Sequence, residues 1–250
     1  MMYKTVTNKM LFKLYSKSRT WIVLFASAIT ILCCTTQEAE VAEYDMRDLS
    51  GPWEIQSPVT ALRTQDGGVP PLTDEGKKLY LANQANPDTD PMMDCLPPGI
   101  PRTLMQQGFP FSIVLGKSIG AMFIEWNHLP RPIYLDREHF ENIGPTYLGQ
   151  SIGHWENNTL VIHTNGFNEM TWLDSSGLPH SGELEVVERL SLLNENTLQA
   201  EFTITDSVVF SEPWTTVVRF DKRPGYIVKE DYCLGRTGQG VTKSITTDNE

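Results

Sequence analysis

From residue 111 onward the chain repeats short segments in which apolar and polar positions alternate, rich in β-branched and aromatic residues and separated by turn formers. "SIGAMFIEW", "RPIYLD", "GQSIGHWE", "TLVIHTNGF", "ELEVVERLSLL", "TLQAEFTITD", "WTTVVRFD" and "YIVKEDYC" each have the length and composition of a strand. In "ELEVVERLSL" the two-residue period places Leu184, Val186, Glu188 and Leu190 on one face, and Glu185, Val187, Arg189 and Ser191 on the other. Neither face is purely polar, which suits a barrel with a partly covered wall and a few charges in its lumen. Asn157-Asn158, Asn194-Glu195-Asn196 and Lys222-Arg223-Pro224-Gly225 carry hairpin or turn chemistry. Consecutive hairpins make a meander, and about eight strands with the Trp53 segment added can close on themselves. The predicted fold is therefore all-β, an antiparallel meander β-barrel over residues 49–233.

Before this region the pattern differs. "PPLTDEGKKLYLANQ" predicts one short helix, with Thr73 as its cap, Asp74 and Glu75 at the positive dipole end, and Leu79 and Ala82 facing inward. "ANPDTDPMMDCLPPGIPR" has too many prolines for regular structure and predicts an extended strap pinned by Cys95.

The N-terminus changes the picture of where such a barrel works. Lys4, Lys9, Lys13, Lys17 and Arg19 precede "TWIVLFASAITIL", whose thirteen residues would rise only about 20 Å as a helix, short of a bilayer core. A basic segment, a short apolar one and then Cys33-Cys34 describe an export signal over residues 1–34. The cysteine pair resembles a bacterial lipoprotein site, with plain cleavage and an uncleaved anchor as the alternatives. Residues 35–48 read as an acidic linker and 234–250 as a polar tail. The expected location is the periplasm or the outer membrane of a bacterium. Removing residues 1–34 leaves 15 basic and 31 acidic side chains, a net charge of −16, so nucleic acid and anionic membrane faces are poor partners.

Cys95 and Cys233 then remain, without a CxxC motif or clustered histidines. In an oxidising compartment they predict a disulfide, two buried free thiols being the alternative.

Candidate chemistry centres on "TWLDSSGLPHS". Ser175-Ser176-Gly177 is a turn and Pro179 stiffens the approach to His180, so Trp172–His180 reads as a loop at a barrel rim, where ligands enter. Asp174 paired with His180 would make an acid/base couple, with Glu188 as a third group. The plainer alternative, which turn chemistry favours, is that Asp174 caps the turn and His180 bonds a backbone carbonyl. No nucleophile elbow accompanies the nearby serines. His180, Glu183, Glu185, His163 and His128 lack metal-ligand spacing, so no metal is assigned, and no cofactor motif appears. Glu125, Arg131 and Glu188 predict a buried ion network, or else a lumenal arginine that orients a carboxylate or carbonyl ligand. Trp126, Trp155, Trp172 and Trp214 read mainly as core, with one or two free to stack on a planar ligand. The candidate ligand-binding set is Trp172, Trp126, Glu125, Arg131 and Asn168.

Gly51-Pro52-Trp53 ahead of a meander resembles the G-x-W opening of lipocalins and their calycin relatives, in which the tryptophan closes one end of the barrel. "DLSGPW", "CLPPGIPR", "IEWNHLPRPIYLD", "SIGHWENNTLVIHTNGFNEMTWLDSSGLPHS" and "VVERL" together resemble an uncharacterised family of secreted bacterial proteins. That resemblance implies a grouping and no mechanism. The expected function is an exported lipocalin-like barrel that binds a small apolar or aromatic molecule. One alternative is a metal-independent isomerase, lyase or hydrolase using His180, Asp174 and Glu188. Another is an envelope interaction module with a filled barrel. No oligomeric state follows from the sequence.

Overall fold

The computed structural model describes Asp45 and residues 47–233; the expected export signal, nearly all of the linker and the polar tail lie outside the described residues. Nine strands form one closed barrel in sequence order: β1 (Gly51–Ile55), β2 (Phe111–Leu115), β3 (Ile119–Ile124), β4 (Leu129–Leu135), β5 (Gln150–Glu156), β6 (Thr159–Asn165), β7 (Glu185–Asn194), β8 (Thr197–Thr205) and β9 (Trp214–Lys222). The all-β barrel is thus as expected, with two corrections to its strands. "YIVKEDYC" is an irregular arm: β9 already pairs with both β8 and β1, so no edge is left for another strand. "FSIVL", within the strand-rich region but not among its eight segments, supplies β2.

The meander also has one exception. β4 and β5 run parallel, joined by residues 136–149, a connection long enough for the crossover that parallel pairing requires. All the other neighbouring pairs are antiparallel. The exception has a topological use. In a nine-strand meander of strict alternation the first and last strands point the same way; a single parallel step reverses that parity, and β1 meets β9 antiparallel.

Pairing between β4 and β5 covers only Ile133–Leu135 with Ser151–Gly153, whereas β4 pairs with β3 from Leu129 onward. Among the described residues the Leu129–Pro132 half of β4 therefore has no strand on its other side, and the wall is breached there.

Inward positions alternate as the two-residue period demands: Val186, Glu188, Leu190 and Leu192 on β7, and Leu198, Ala200, Phe202 and Ile204 on β8, are buried. With Trp53, Phe111, Ile113, Met122 and Phe220 they fill the interior, and the Phe111 and Phe220 rings meet edge to face at 5.1 Å. Trp53 donates its indole N–H to the Leu49 carbonyl at 2.9 Å.

α1 (Asp74–Ala85) starts at Thr73, whose hydroxyl accepts from the Gly76 amide at 2.9 Å. Its inner side is Gly76 with half-buried Leu79, Tyr80 and Asn83; Ala82, expected inward, is exposed. The helix packs backbone to backbone, because a Cβ at Gly76 would lie 2.2 Å from the Val209 carbonyl oxygen. The strap is not simply extended. Its prolines start short 3-10 turns at Pro87–Thr89 and Pro91–Asp94, and a third turn spans Arg102–Met105.

Cys95 and Cys233 form a disulfide across a separation of 138 positions. Asn127, in the left-handed region at φ 51°, bridges the same junction: its side-chain Nδ2 donates to the Cys95 carbonyl and its side-chain oxygen accepts from the Cys233 backbone N–H, both at 3.3 Å.

Candidate functional site

Four adjacent strands each contribute one polar side chain to the barrel interior. Arg131 of β4 sets its guanidinium against the Glu188 carboxylate of β7 in a two-point pair, with Nη1 donating to Oε1 at 3.0 Å and Nη2 to Oε2. Arg131 Nε donates to Ser151 of β5 at 3.1 Å and Nη2 to Thr164 of β6 at 2.8 Å, while Ser151 and Thr164 share a further bond at 3.0 Å. The remaining Nη1 proton points toward Met122 Sδ at 3.7 Å. Every donor of the guanidinium is used and its charge is matched, so the group is closed to an incoming carboxylate. All four side chains are buried. Glu125 stands outside this network: it accepts from the Tyr226 hydroxyl at 2.6 Å and from the Lys229 amide at 3.1 Å. Burial, then the bond to Glu125, pushes the Tyr226 phenol up to about 12.

The Trp172–His180 segment is a plug and not an open rim. Leu173 and Leu178 are buried in the core and close the loop on themselves through Leu173 N–H to Leu178 C=O at 2.8 Å. Asp174 Oδ1 accepts from the Ser176 amide, the Ser176 hydroxyl and the Leu178 amide, and Oδ2 from the Leu62 amide at 2.8 Å. α1 grips the same loop through Tyr80 to Ser176 at 2.7 Å and Asn83 to the Gly177 carbonyl at 2.9 Å. His180 donates from Nδ1 to the Ser181 carbonyl at 2.9 Å, which leaves Nε2 to accept from the Thr171 hydroxyl at 2.6 Å. The ring is thereby fixed as the neutral tautomer, and burial holds its pKa below the ordinary histidine value. His180, Asp174 and Glu188 are each engaged elsewhere, and the expected acid/base trio is not assembled. Asp206, which sequence reading passed over, organises the neighbouring turn by accepting from Ser181, Val208 and Val209.

A pH dependence follows from His180. The folded state binds its proton more weakly than the unfolded chain does, so this stabilisation is present above about pH 6.5 and is lost as the pH falls below it. Urea midpoints of the wild type are expected to fall between pH 7.5 and 5.5. His180→Gln should show a flatter dependence, the difference being at most about 1.4 kcal/mol per pH unit.

The predicted ligand-binding residues are not brought together either. Trp172 is buried beneath the Arg102 guanidinium, 5.9 Å from its ring centroid, and Arg102 is itself held by Asp90 in a two-point pair. Trp126 is buried in the core, and Asn168 spends its side-chain oxygen on the Met170 amide at 3.1 Å. Arg131, of the five, lines a cleft.

That cavity is the breach between β4 and β5. A cleft of about 470 Å³ opens there, walled on one side by Pro130, Pro132 and Tyr134 and on the other by Phe140, Ile143, Tyr147 and Leu148 from the crossover connection. Pro97 of the strap lines it as well, and Arg131 and Ser151 lie at its floor. Gln150 fixes the connection by bonding the Phe140 backbone at both N–H and C=O, and Phe140 packs edge to face on Tyr134 at 4.7 Å. His139, also not singled out from the sequence, joins Gln150 at 3.0 Å and His163 at 3.0 Å; burial is the main influence holding its pKa down. No sequence signal marks this site, because it exists only through the parallel step.

Fold and site together define a small closed β-barrel with a filled interior and an apolar cleft in its wall. Compared with protein-family models, with curated proteins and with solved structures, the chain has no significant match.

Proposed function

We propose that this protein is an exported, lipocalin-like barrel that binds a small, mainly apolar molecule, and that it does so in the β4–β5 cleft. The carrying observation is the cleft itself: about 470 Å³, within the range of small-molecule sites, with aromatic, aliphatic and proline walls. The closed Arg131–Glu188 pair at its floor favours an uncharged ligand over a carboxylate. The basic and apolar N-terminus supports a periplasmic or outer-membrane location.

The test is a thermal-shift screen of the chain against apolar and aromatic metabolites. At a hundredfold excess over Kd, a ligand of the native state adds roughly 2.7 kcal/mol. Ile143 is 52% exposed, so Ile143→Asp should leave the unliganded midpoint nearly unchanged while abolishing the ligand shift. Mass spectrometry of each hit separates a carrier, which leaves the ligand mass unchanged, from an enzyme, which converts it. The filled interior favours a second reading, an envelope interaction module. A screen without any shift would overturn the cleft reading and leave that one.

A further inference from the structure

On the outside of the barrel, beside the cleft, a chain of four polar side chains runs from the crossover connection to the start of β7. His139 Nδ1 lies 3.0 Å from Gln150 Oε1, His139 Nε2 lies 3.0 Å from His163 Nδ1, and His163 Nε2 lies 3.3 Å from Glu185 Oε2. The two rings are nearly perpendicular, at 83° with centroids 4.9 Å apart.

Proton placement in this chain is overdetermined. Gln150 must turn its oxygen toward the Phe140 amide and its nitrogen toward the Phe140 carbonyl, so the atom facing His139 is an acceptor. His139 therefore carries its proton on Nδ1 and presents a lone pair at Nε2. Glu185 as a carboxylate only accepts, so His163 carries a proton on Nε2 and, in its neutral form, presents a lone pair at Nδ1. Two lone pairs then face each other across 3.0 Å. The two nitrogens then have to share a positive charge, either a further proton or a metal ion set to one side of the line between them, since 3.0 Å leaves no room for a metal on that line.

We propose that His139 and His163 form a two-histidine site for a divalent transition-metal ion, with Cu2+ or Ni2+ preferred to Zn2+. Metal–imidazole bonds of about 2.0–2.1 Å drawn to nitrogens 3.0 Å apart subtend roughly 95°, close to the cis angle of tetragonal Cu2+ or Ni2+. Tetrahedral Zn2+ needs the nitrogens about 3.3 Å apart, and so a small ring movement. Gln150 and Glu185 occupy the positions that carbonyl and carboxylate partners take behind ligating histidines, where they fix the tautomer and the ring orientation. Among the described residues no three His, Cys, Asp or Glu side chains gather around one point, so water completes the coordination. The His163 side chain is 33% exposed, which leaves room for that water. An ion here would tie β6 to the Phe140 wall of the cleft, although the site itself does not depend on any ligand in the cleft.

The test is equilibrium dialysis of the untagged chain with Cu2+, followed by electron paramagnetic resonance of the complex. One ion per chain is expected, with nitrogen coupling from two imidazoles. His139→Ala and His163→Ala should each weaken binding at least tenfold and remove part of that coupling, and Glu185→Gln should weaken it by about 10–100-fold. His154→Ala, at an exposed histidine bonded to Glu156, should change nothing. Metal-free thermal midpoints, together with His139→Gln and His163→Gln as second variants, separate lost ligation from lost fold. Binding that survives both alanine substitutions would overturn the proposal. So would a folded wild type that takes up no Cu2+, in which case the pair shares a proton only.

Discussion

Glu188→Ala is expected to destabilise the barrel by about 3–5 kcal/mol, because it leaves the Arg131 guanidinium buried without its counter-charge. The loss exceeds that of an ordinary large-to-small change, since two of the bonds at Arg131 go with the carboxylate and the guanidinium keeps its charge. The matching test removes the cation as well. Arg131→Met combined with Glu188→Leu should recover most of the stability, because Ser151 and Thr164 still bond each other and neither charge of the pair is left buried. Urea unfolding of Glu188→Ala and of the double variant measures this directly. If Glu188→Ala and the double variant prove equally unstable, the pair contributes through packing and not through charge matching.

The second large effect concerns the disulfide. Replacing Cys95 and Cys233 by serine is expected to cost about 2–5 kcal/mol, near the upper end on the chain-entropy account because the closed loop is long. The arm carrying Tyr226, Lys229 and Cys233 lies against Glu125 and Asn127 and belongs to no strand, so the covalent link is its strongest tether. In the serine variant the Tyr226 phenol should titrate nearer its ordinary value than the raised value of about 12 in the intact protein, which an ultraviolet titration of tyrosine ionisation resolves. An unchanged titration would mean that the bonds to Glu125 hold the arm without the disulfide.

Much of this architecture is legible in the chain because side-chain alternation survives burial. Val186, Glu188 and Leu190 share a face in sequence and point inward together. Thr73 caps α1 for the local reason that a hydroxyl there reaches the Gly76 amide. Strand direction is another matter. The "REHFENIGPTYL" segment carries no two-residue turn, yet nothing in its composition distinguishes a long hairpin from a crossover. The cleft depends on that choice, so Tyr134, Phe140 and Tyr147 could not be grouped beforehand. Asp174 and His180 illustrate a different limit. Spacing brings them close along the chain, but backbone amides and a threonine hydroxyl satisfy them first.

The prolines of β4 carry a final consequence. Leu135 donates its amide toward β3 and Asp136 donates toward β5, so along this strand the even-numbered residues turn their nitrogens to the breach. At Pro130 and Pro132 those nitrogens bear no hydrogen. A strand from another chain that tried to insert would meet a backbone with no donors to offer, next to rings that hold it away. Barrels avoid sheet-to-sheet aggregation by having no edge; this one has a partial edge and keeps it chemically blunt, so an opening suited to a small molecule does not become a seed for domain swapping or fibre growth.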